Sequence, residues 1–106
     1  MSWTTELRQA FAALRAGVPA RVSFADRDDR VGDLGREFNR LAEALAGKGP
    51  DGFSREQAHA LRNCLAGILA ALHVLRITSG VNAEEEETLV RIVAEAKELD
   101  THLRAG

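Results

Sequence analysis

The sequence predicts an all-α protein, and composition, apolar spacing and helix-boundary signals each point there. Of its 106 residues 45% are hydrophobic but only 5% aromatic, and tyrosine is absent. Such aliphatic and alanine richness favours helices over sheet. Apolar residues recur by threes and fours along four stretches, as on the buried face of a helix. Glycines, prolines and capping residues fall between those stretches.

The first helix is expected over about residues 4–16, with Leu7, Phe11 and Leu14 on one face, and Gly17 and Pro19 end it. "GVPARVSFADRDD", residues 17–29, is a connector. A second helix opens at Asp28 or Asp29, either of which can cap it, and carries Val31, Leu34, Phe38, Leu41 and Leu45 in a seven-residue repeat. "GKGPDG", residues 47–52, cannot continue a helix. Ser54 and Gln57 then form a capping box, with Phe53 and Ala58 as its hydrophobic staple. The third helix follows with Ala58, Leu61, Leu65, Ile68, Leu72 and Leu75 as its seam. "TSGVN" turns the chain and Asn82 with Glu85 starts the fourth helix, whose seam is Leu89, Ile92, Ala96, Leu99 and Leu103. Its "EEEE", residues 84–87, lies where amide dipoles favour negative charge.

The organisation read from these signals is a helix-connector-helix unit (1–46), a Gly/Pro linker (47–53) and a helical hairpin (54–106). Two helices with one apolar stripe apiece cannot enclose a core. The expectation is therefore two stacked helical-hairpin units, each completed to a coiled-coil-like four-helix bundle by homodimerisation.

A net charge of −2 is close to balance: residues 1–50 carry eight basic and seven acidic side chains, residues 51–106 six and nine. No basic face argues for nucleic acid. The longest uninterrupted apolar run is far short of the ~20 residues that cross a bilayer, and the N-terminus lacks a secretory pattern. A cytoplasmic protein without membrane insertion is expected. Cys64 is the one cysteine, so no internal disulfide or Cys-based zinc site forms, and its apolar setting suits a small core residue. His59, His73 and His102 sit on separate turns without metal-cluster spacing. No cofactor is expected.

"ELRQAFAALRAG", "VPARV" and "DDRVGDLGREFNRLAEAL" reproduce in order a first helix, a glycine with an extended connector, an acidic-x-aliphatic-glycine opening and a second helix. Over about residues 5–46 this resembles a HAMP domain, the signal-relay module of bacterial receptors and sensor kinases. The resemblance implies a parallel four-helix bundle of two copies, with Val18 and Val22 packed into it. Arg30 stands where the family usually has glutamate.

"HALRNCLAGILAAL", within a hairpin over about residues 53–105, is similar to the H-box of the dimerisation and histidine-phosphotransfer (HisKA-like) domain of two-component sensor kinases. That resemblance implies that His59 is the phosphoacceptor, that Asn63 positions water for dephosphorylating a partner, and that Arg62, three residues from His59, steadies a phosphoryl group. It also implies a response-regulator receiver domain or a separate kinase as partner. Two family features are replaced. Ala60 stands for the acid that takes the imidazole proton, which should slow attack on ATP by about 10²-fold. Cys64 stands for the proline that kinks the helix. No glycine-rich nucleotide loop is present, so the chain alone is not expected to phosphorylate itself from ATP.

"AHALRN" also echoes the "AHxLKG" of monomeric histidine phosphotransfer domains, single-chain four-helix bundles with glycine where this chain has Asn63. That analogy ranks below the dimeric one. The functional expectation is a two-component phosphotransfer and docking module. The alternatives are a non-catalytic interaction protein and a fragment of a full sensor kinase.

Overall fold

A computed structural model of the chain describes residues 3–16, 18–45, 54–78 and 80–105. Among these residues four helices are formed: α1 (Trp3–Arg15), α2 (Arg30–Leu45), α3 (Arg55–Thr78) and α4 (Ala83–Ala105), with a 3-10 turn at Ser23–Asp26 between α1 and α2. The described residues contain no strand. Gly17, the 47–53 break with the Phe53 staple, and the side chains of His102 and Leu103 lie outside the described residues.

The boundary signals act as their chemistry requires. Asp29 rather than Asp28 caps α2: its Oδ1 accepts from the Gly32 amide at 2.9 Å. That hydrogen bond, and then Arg27, hold the Asp29 carboxyl below its ordinary range. Ser54 and Gln57 close a reciprocal box, with the Gln57 amide 3.2 Å from Ser54 Oγ and the Ser54 amide 3.0 Å from Gln57 Oε1. Asn82 and Glu85 repeat the device at α4, at 2.8 and 3.2 Å. Gly80 turns the chain at φ +59°, which costs glycine little.

Ion pairs and shared clefts give the helix directions. Arg62 pairs with Asp100, and Arg76 with Glu86, so α3 and α4 run antiparallel. Cys64 meets Glu37, while Gln57 and Ala60 share a cleft with Arg40 and Ala44, so α2 and α3 are antiparallel too. Thr4 and Thr5 border one cleft with Asn82 and Thr88, and Arg15 pairs with Glu98, so α1 and α4 are parallel. Three helices thus point one way and α3 the other. α1 packs chiefly on α4, α2 on α3 and α3 on α4, and Phe11 meets Phe38 edge-on at 5.0 Å between α1 and α2.

This packing differs from the expected stacked units. At ~1.5 Å per residue the 24-residue α3 is about 36 Å long, and the whole molecule measures 39 × 23 × 21 Å. The two halves therefore lie side by side. Their stripes cover each other: Leu7, Phe11, Leu34, Phe38, Leu41, Leu65, Ile68, Leu72, Leu89, Ile92 and Ala96 are all fully buried in one cluster. The premise that each stripe stays wet within one chain does not hold here. The two seams, both repeating by threes and fours, join one buried cluster.

Val22 is buried within the single chain, whereas Val18 is 52% exposed. Close approach explains two glycines of α2. A Cβ on Gly32 would lie 1.8 Å from the Arg27 carbonyl oxygen, and one on Gly35 would lie 2.8 Å from the Ala25 nitrogen. Three side chains then tie the connector down. Asn39 Oδ1 accepts from the Val22 amide at 2.8 Å while its amide donates to the Val22 carbonyl at 3.2 Å. The Glu6 carboxylate accepts from the Ser23 amide and hydroxyl at 2.8 and 2.9 Å. Arg36 donates to the Ala25 carbonyl at 2.7 Å.

Candidate functional site

α3 buries Leu61, Leu65, Ile68, Leu72 and Leu75 and turns His59, Asn63, Ala66, Ala70 and His73 to solvent. The two sets follow from the helical period: each seam residue is followed one or two positions later by an outward one. His59 lies in the second turn of α3, at the end of the bundle where α2 and α4 finish. Its imidazole and the Asn63 amide, four residues on, share the outward face and are both exposed.

Arg62 does not join them. It lies on the flank of α3 that faces α4, a third exposed, and its Nε donates to Asp100 Oδ1 at 3.1 Å. Of the three residues implied by the phosphotransfer resemblance, the fold brings two onto one open face and commits the third to an ion pair. Asp100, 38 residues away in the chain, has no motif that would mark it beforehand.

Ala60 is exposed and contributes no acid–base group. It lines a cleft of 380 Å³ with Arg40, Leu41, Ala44, Gln57, Leu61 and Cys64, between α2 and α3 beside the histidine. Cys64 is half-buried and its thiol donates toward the Glu37 carboxylate at 3.4 Å. Burial first, then the Glu37 hydrogen bond and charge, push the thiol up to about 11. The sulfur is thus held protonated and is a poor nucleophile at neutral pH. α3 continues past it as a single helix. Among the described residues no group of three His, Cys, Asp or Glu side chains is arranged to hold a metal ion.

No protein-family model, no curated protein and no solved structure matches this chain.

His73 is exposed two heptads beyond His59 and has no Arg-Asn pair after it. α3 is long and apolar enough, by length and composition, to cross a membrane, and 28% of that apolar window is buried inside the bundle. The buried part is the seam that meets α2 and α4.

Proposed function

We propose that the chain is a two-component phosphotransfer and docking module in which His59 accepts and passes on a phosphoryl group, with a receiver domain or a separate kinase as its partner. One observation carries the reading: His59 stands exposed on the outer face of a helix whose inner face is locked into a four-helix core, with Asn63 beside it. An accepting imidazole needs that combination of open approach and rigid support. The single-chain bundle favours the monomeric phosphotransfer analogy over the dimeric kinase core. With Ala60 in place of an acid, proton removal falls to water or to the partner.

The test is incubation with a kinase and ATP, or with a phosphorylated receiver domain, followed by a search for acid-labile phosphate. The reading expects label at His59, lost in His59→Gln. No label from either donor overturns it. Ala60 and the hydrogen-bonded thiol of Cys64 favour a second reading, a non-catalytic docking protein whose binding to a receiver survives His59→Ala.

A homodimer remains compatible with the same seams, because each half can exchange its neighbour for the equivalent half of a second chain. The buried stripe of α3 then serves packing between helices, and the site is proposed to work in the cytoplasm.

A further inference from the structure

Arg62 sits between two acceptors. On α4 it holds Asp100 through a hydrogen bond, 3.1 Å from Nε. Along α3 it lies three residues from His59, within the reach of helical neighbours. Both members of the ion pair keep access to water, with side-chain exposures of 32% and 26%, so the guanidinium can change partners without crossing the core.

We infer that Arg62 is a latch that loading of His59 opens: a phosphoryl group on His59 draws the guanidinium away from Asp100 and loosens the end of α4 against α3. This rests on the phosphoacceptor reading. A phosphoryl group brings about two negative charges and three acceptor oxygens, against the single charge of a carboxylate. It also accepts the guanidinium fork through two parallel bonds. The exchange therefore runs toward the phosphate.

Its consequence falls on a defined segment. Leu99 is the last buried residue of α4 among the described residues, and Asp100 follows it immediately. With Arg62 gone, the final turns of α4 lose one tie to α3 at the end of the molecule where His59 lies. Loading would thereby be reported as a change in the α4 terminus, a surface a partner can read.

Phosphoramidate tests this without a partner protein. The imidazole attacks phosphorus, the phosphorus–nitrogen bond of the reagent breaks, and the imidazole proton leaves with the nitrogen as ammonia. Mass spectrometry counts and locates the phosphate, His59→Gln separates modification at other histidines, and amide hydrogen exchange follows residues 97–105. Phosphorylated wild-type protein should exchange about threefold faster there than the bare protein. Arg62→Gln should exchange faster before loading and gain nothing from it, and Asp100→Asn should match it should the first variant misfold. Phosphate on His59 with unchanged exchange overturns the latch alone. So does an Arg62→Gln protein that responds to loading as wild type does. No phosphate on His59 overturns the latch together with the reading beneath it.

Discussion

The two halves of the bundle bury comparable aliphatic seams and are held in different ways. Around α1, α2 and their connector, contacts are particular: the Phe11–Phe38 and Trp3–Phe24 ring pairs, two glycines against backbone, and Glu6, Asn39 and Arg36 on connector backbone groups. In the α3–α4 hairpin the seam is leucine and isoleucine with Ala96, and the named polar ties are two ion pairs, Arg62–Asp100 and Arg76–Glu86. Specific geometry tolerates little change, whereas an aliphatic seam with partly wet ion pairs can slide or swap partners. The difference places rigidity in the connector half and adaptability in the half that carries His59.

The strongest way to break this comparison is to treat the two halves alike at glycine. Gly32→Ala puts a methyl 1.8 Å from the Arg27 carbonyl oxygen, backbone that can move only if the connector moves. A loss of about 3 kcal/mol or more is expected in urea unfolding. Gly67 lies on the exposed face of α3, and a methyl added there would meet nothing within 4 Å. Gly67→Ala should therefore stabilise by roughly 0.5–1 kcal/mol through helix propensity alone. Equal and small effects at both sites would show that the connector is no more constrained than the hairpin.

A smaller effect comes from the connector's polar tie. Asn39 serves both backbone groups of Val22, a residue only 1% exposed. Asn39→Leu leaves that amide and carbonyl without their partner, at a cost of about 1–3 kcal/mol. Thermal unfolding of the variant within experimental error of wild type would mean that the connector holds by apolar packing alone.

The same contrast explains what was legible in the sequence. Capping boxes at Ser54 and Asn82 and the seams of all four helices rest on neighbours within one or two turns, so spacing reveals them. The pairing of the halves is not local. A seam repeating by threes and fours fits a second chain as well as its own, and nothing in "GKGPDG" says which. Val22–Asn39 and Arg62–Asp100 join residues 17 and 38 positions apart, and a polar residue beside a seam carries no mark of its partner. At the candidate site, the exposure of His59 and Asn63 followed from their offset to the seam, while the diversion of Arg62 needed α4 in place.

The smallest predicted effect tests the joint between the halves, where Cys64 of α3 meets Glu37 of α2. Burial and the Glu37 carboxylate raise this thiol from its ordinary 9.0 to about 11, so the fold keeps a proton that the unfolded chain releases. Stability from this group is complete below pH 9 and declines as pH rises from about 9 to about 11, because only the unfolded chain gains from ionisation there. Water reaching the half-buried sulfur limits the loss to of order 1 kcal/mol. Comparing wild type with Cys64→Ala cancels the titration of other groups. The difference between their unfolding free energies should be flat up to pH 8 and should move against wild type above pH 9. Parallel curves throughout would show that α3 does not rest on α2 at this thiol, and would separate the halves that the shared core joins.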